Sequence, residues 1–203
     1  ISFYINLLKK IVPSTTFSLK LIYFINLIPF GLLVYAFSIS DFTLLNVVEN
    51  SYVDDPIFYK VTSAWGSHEG SILLWVFLIN LFGVFFLYKN QTVEIHKNIL
   101  FISTLFIIYV VMSSNPFTYV EANENILGLG LNPILQHFLF IIHPPTLFLG
   151  YIGLIIPFVI SAHMLVNKNF SEKLFSEMLI WSKISWFFLT GGIILGSYWA
   201  YSE

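Results

Sequence analysis

The sequence predicts an all-α, polytopic transmembrane helix bundle, and three observations carry that prediction. Apolar residues make up 57% of the 203 residues and charged ones only 10%, with a mean hydropathy of +0.82, so the solvent of most of this chain is lipid. Five apolar stretches are each long enough, or nearly so, for a helix of about 20 residues to cross a bilayer. The lysines and carboxylates segregate to alternate connections between those stretches.

The segment 1–17, with Lys9, Lys10 and Pro13, is too broken by charge to be a span and reads as an N-terminal inner-side segment. The membrane domain then runs over 18–203. Its spans are expected at about 18–40, 71–88, 98–113, 146–166 and 181–200, as helices because backbone polar groups cannot go unpaired in lipid. Pro29 and Pro157 fall inside two of them and predict local kinks.

Lys9, Lys10, Lys20, Lys89, Lys97, Lys168, Lys173 and Lys183 fall on one side of this five-span arrangement, and only Lys60 on the other. The positive-inside rule puts the N-terminus inside, and an odd number of spans puts the C-terminus outside. Asp41, Glu49, Asp54, Asp55, Glu69, Glu121, Glu124 and Glu203 share that outer side. The outer connections, about 41–70 and 114–145, are far longer than the inner ones, and long connections in compact domains commonly carry function.

The first candidate is His143, in Ile141-Ile142-His143-Pro144-Pro145. A residue before proline is pushed out of the helical region, and proline suits a first helical turn. The imidazole is therefore expected at a defined point just above the fourth span, either as a haem-iron ligand or simply as a polar helix cap at the interface. The second is Trp65-Gly66-Ser67-His68-Glu69-Gly70-Ser71, with Trp75 following. Here Trp65 and Trp75 read as interfacial anchors and Glu69 as a dipole complement, unless His68 or Glu69 faces a cofactor.

The remaining histidines carry weaker signals. His137 could line the same outer site, His96 belongs to a basic inner loop, and His163 lies near an inner span end. Glu121 and Glu124 read as solvated loop surface. The last span places Gly191, Gly192 and Gly196 for close packing and ends on Trp199 and neighbouring aromatics, a surface on which a macrocycle could rest. With no cysteine in the chain, no disulfide, thiolate site or covalent haem attachment can be built from it. No phosphate loop, zinc motif or basic nucleic-acid patch is present, so nucleic acid is not an expected partner.

Several segments go further. Asp41-Phe42-Thr43, Phe58-Tyr59-Lys60-Val61, Trp65 through Val76, Ser114-Asn115-Pro116-Phe117, Leu131 through Gln136, Ile142 through Gly153, Phe188-Leu189-Thr190 and Leu195 through Tyr201 together resemble, in order, the CcmF family of cytochrome c haem lyases. The resemblance covers about residues 41–201. It implies a membrane subunit that binds haem b non-covalently at its outer face and promotes its attachment to apocytochrome c, with His143 as axial ligand of the haem iron. His68, Glu69, Trp65 and Trp199 are the further cofactor-binding candidates, and no catalytic residue is assigned.

The family's tryptophan-rich segment would follow Glu203, so the resemblance is to the N-terminal part. A split gene, a longer chain or a remnant kept for assembly would each account for that. It implies a C-terminal tryptophan-rich partner chain, a haem chaperone, apocytochrome c, a thiol-reducing assembly factor and membrane lipid. The Phe-, Ile-, Asn- and Lys-rich composition points to an organelle gene, hence the mitochondrial inner membrane with long loops in the intermembrane space, or a bacterial inner membrane. The alternatives are a non-catalytic structural subunit of a respiratory or assembly complex, and a related haem exporter.

Overall fold

The computed structural model describes residues 15–90, 92–121 and 126–202. Residues 1–14, with Lys9 and Lys10, and also Glu124 and Glu203, lie outside the described residues. Five helical segments are long and apolar enough to cross a membrane. They are α1 (Thr15–Ser38), α4 (His68–Lys89), α5 (Val93–Ser113), the pair α6 (Phe138–Gly153) and α7 (Ile155–Asn167) as one span, and α8 (Glu172–Ser202). Two short helices, α2 (Leu45–Asn50) and α3 (Ile57–Gly66), lie in the connection from α1 to α4. Among the described residues no strand forms, so the all-α membrane bundle expected from composition is what the chain builds.

The central span is α4, whose most apolar stretch is 67% buried against 11% for α8. Its Gly83 lets α1 come close, since a Cβ there would lie 2.4 Å from Cε1 of the fully buried Tyr23. Interior polar side chains of three spans pair with one another, as lipid favours. Asn80 receives a hydrogen bond from Asn26 (3.0 Å) and donates to the Ser103 hydroxyl (2.8 Å), tying α4 to α1 and α5.

His96 departs from its expected place in an inner loop. It is fully buried in the first turn of α5, with Nδ1 2.9 Å from the Tyr23 hydroxyl and Nε2 2.7 Å from the Asn90 carbonyl. A carbonyl only accepts, so Nε2 carries the proton and Nδ1 accepts from Tyr23. The short α4–α5 connection is thereby folded back onto α1.

The two long connections are bound to each other at one end of the bundle. Leu45 N–H donates to the Thr118 carbonyl (2.9 Å), Val120 N–H to Thr43 (2.9 Å), Val53 N–H to Leu127 (2.9 Å) and Leu129 N–H to Val48 (2.8 Å). Gly128 makes that approach feasible: its φ of +83° suits glycine, and a Cβ there would meet the Ser51 carbonyl oxygen.

The fourth and fifth spans depart most from the expected boundaries. The fourth span begins at Phe138 rather than about 146, because the apolar run before Pro144 has to pair its backbone and does so as helix. It breaks at Leu154, where Pro157 removes the N–H that would continue the ladder and instead sits in the first turn of α7. The last helix begins at Glu172 rather than about 181, its charged first turns extending past the apolar stretch. The connection expected at 114–145 consequently ends at His137, and that expected at 41–70 at Ser67.

Candidate functional site

His143 is not in a loop above the membrane helix. It lies in the second turn of α6, and Pro144 and Pro145 follow inside the same helix. Proline has no N–H, so Pro144 leaves the Phe140 carbonyl without its helical donor. The Trp65 indole N–H points at that carbonyl from 3.5 Å, the long limit for such a bond. Trp65 and Gly66 of α3 therefore support the start of α6, where a Cβ on Gly66 would lie 2.6 Å from the Phe140 ring.

Glycines on both helices bring α6 and α8 together. A Cβ at Gly150 would fall 2.6 Å from Leu189 Cγ, one at Gly153 2.4 Å from Ser185 Oγ, and one at Gly192 2.6 Å from Leu147. Gly196 leaves room for His143 itself, since a Cβ there would be 2.5 Å from the imidazole Cε1. The ring is half-buried in this seam and its Nδ1 lies 2.9 Å from the Gly192 carbonyl oxygen. Nδ1–H must donate, so in the neutral ring Nε2 holds the lone pair.

Trp199 completes the group. Its ring centroid is 5.9 Å from that of His143 with planes at 74°, 6.1 Å from Phe140, and 6.0 Å from His137 with planes at 14°. The structure thus gathers His143, Trp199, His137 and, one layer behind, Trp65. It does not bring His68 or Glu69 to them. His68 Nε2 lies 3.4 Å from the Tyr109 hydroxyl on α5, and Glu69 lines a polar cavity of about 150 Å³ with Glu49 and Ser114.

The rest of the Trp65 to Ser71 motif builds a corner. Ser67 caps α4 by accepting from Gly70 N–H at 3.0 Å, and a Cβ on Gly70 would collide with the Ala64 carbonyl. Among the described residues no cluster of three or more His, Cys, Asp or Glu could hold a metal ion. One imidazole lone pair beside a flat aromatic wall would suit a metal that brings its own equatorial ligands, as a metalloporphyrin does. His137 joins this group through its contact with Trp199, which lies 62 residues further along the chain and so is not visible in any one segment of the sequence.

Five apolar helices and this close-packed seam define a polytopic helical membrane protein. The family described as Cytochrome C assembly protein matches residues 65–203, and the chain belongs to that family. It is 40% identical over 170 residues to the cytochrome c-type biogenesis protein CycK of Bradyrhizobium diazoefficiens, covering 81% of this chain and 26% of the relative. It is 38% identical over 182 residues to CcmF of Haemophilus influenzae (87% and 28%) and 37% identical over 180 residues to CcmF of Escherichia coli (86% and 28%). The solved structure of a cytochrome c haem lyase CcmF superposes with a TM-score of 0.74 at 24% identity, covering 88% of this chain and 28% of that one. The chain spans about a quarter of the length of these relatives.

Proposed function

We propose that this chain is the part of a haem lyase that holds haem b, as cargo, at the loop-rich end of the bundle, with His143 Nε2 as an axial ligand. The observation that carries this is the His143 Nδ1–H bond to the Gly192 carbonyl. Iron-ligating histidines commonly donate their other ring N–H to a carbonyl or carboxylate, which fixes the tautomer and raises ligand basicity. Gly196 seats the ring and Trp199 limits its swing, so little ordering cost remains on binding.

Haem would supply the iron and the vinyl groups. Apocytochrome c would supply the thiols, since this chain has no cysteine. Each thiol would add its sulfur and its proton across one vinyl double bond, with no net change in electron count. A second axial ligand and the rest of the cradle would come from a tryptophan-rich partner region, with a haem chaperone and a thiol-reducing factor upstream. His68 and Glu69 have no place in this reading.

The loop-rich end is assigned to the outer side. Asp41, Glu49, Asp54, Asp55, Glu69 and Glu121 belong to it, while Lys20 lies over the Tyr88 ring at the other end, near Lys89. That distribution supports an N-terminus inside by the positive-inside rule. The chain is a multi-pass inner-membrane protein by its five apolar helices and its bacterial relatives; the composition supports the mitochondrial version of that membrane.

The test is His143→Ala in the assembled complex. Retained haem and cytochrome c maturation are expected to fall several-fold, whereas wild-type haem content with a wild-type spectrum would overturn the reading and favour a structural subunit.

A further inference from the structure

We infer that His137 is a positioning residue for the same ligand, presenting a hydrogen-bond donor to one of its carboxylates; this rests on the haem reading of His143. His137 is the N-cap of α6, and its Nδ1 accepts from the Leu139 backbone N–H at 3.1 Å. A ring nitrogen that accepts cannot carry the proton of a neutral imidazole, so that proton sits on Nε2. At His143 the backbone imposes the reverse, because Nδ1 faces a carbonyl and the lone pair is left on Nε2.

Trp199 stands against both rings, stacked on His137 at 14° and edge-on to His143 at 74°. Two imidazoles bordering one indole are thus held by backbone groups in opposite tautomers. One presents a lone pair and the other an N–H. Both side chains are only partly buried.

A ligand that matches this pair has a Lewis-acidic metal at its centre, a flat apolar body and a carboxylate at its edge. An iron porphyrin with carboxylate side chains has all three. The metal takes His143, the macrocycle meets Trp199, and a carboxylate accepts from His137 in a charge-assisted bond. Such a contact selects the orientation of the macrocycle, because only one edge of the ring carries carboxylates. The vinyl edge is then directed away from His137.

The experiment uses the full assembly stripped of haem and titrated with iron protoporphyrin IX and with its dimethyl ester, which has lost the carboxylate charge. The variants are His137→Ser and His137→Asp, whose side-chain oxygens still cap α6. Wild type should favour the diacid over the diester. His137→Ser should lower diacid affinity by about tenfold with the diester unaffected, and His137→Asp by more, through repulsion. The axial-ligand absorption spectrum should not change in either variant.

A His137→Ser protein that keeps the wild-type preference for the diacid overturns the inference. If neither variant assembles, absence of that preference in the wild type overturns it equally. The underlying reading fails in a different signal, an unaltered axial-ligand spectrum in His143→Ala, and would take this inference with it.

Discussion

The imidazole of His143 donates from Nδ1 to the backbone carbonyl of Gly192 across 2.9 Å, joining the first half of the fourth span to the last. That bond chooses the tautomer, and Gly196 one turn on supplies the space in which the ring lies.

Gly196→Ala should displace the imidazole without touching it chemically. Its Cβ would enter within 2.5 Å of Cε1, and the seam is formed by two helices whose backbones cannot easily separate. Haem retention should fall toward the His143→Ala level while the assembled protein stays helical by circular dichroism. Wild-type haem binding would show that the seat is not needed.

Trp65→Phe should leave the carbonyl freed by Pro144 unpaired, at about 1 kcal/mol. Pro144→Ala restores the helical N–H at that carbonyl. The double variant should therefore recover part of the loss, read by thermal unfolding in detergent. An additive pair of effects would mean that the 3.5 Å contact contributes nothing.

Asn80→Leu should destabilise the bundle by about 0.5–2 kcal/mol, the range for interhelical hydrogen bonds in membranes. A double-mutant cycle with Asn26→Leu, followed by denaturant titration in micelles, should give a coupling energy of the same sign. Haem absorption should not respond, because the Asn80 network lies apart from the His143 seam.

Gly83→Ala should push Tyr23 from its place, since the new methyl would lie 2.4 Å from Cε1. Losing the Tyr23 bond leaves His96 Nδ1 without its donor inside the protein. A fall in melting temperature of several degrees is expected. Tyr23→Phe, which keeps the ring and loses only the hydroxyl, should lose less.

Much of this was legible without coordinates, for identifiable reasons. Composition alone demands helices when the solvent is lipid, so the five spans followed from apolar length. The ordered motifs from Asp41 to Tyr201 led to the family that residues 65–203 match. The Pro144-Pro145 pair misled, because a rule about isolated backbone placed His143 above the helix, whereas the bilayer favours helix from Phe138 onward. His96 misled likewise: its neighbours in sequence are charged, but its neighbours in space are Tyr23 and Phe86.

What the amino-acid sequence determined by itself was the class of solvent, the number of spans and the family, because each is set by local composition or by motifs read in order. What only the tertiary structure decided was which side chains share a site. His143, His137 and Trp199 come from different turns of two helices, and the His143 tautomer depends on a backbone carbonyl 49 residues away in sequence. A pairing of that kind arises from helix packing, and packing is not written in any one segment.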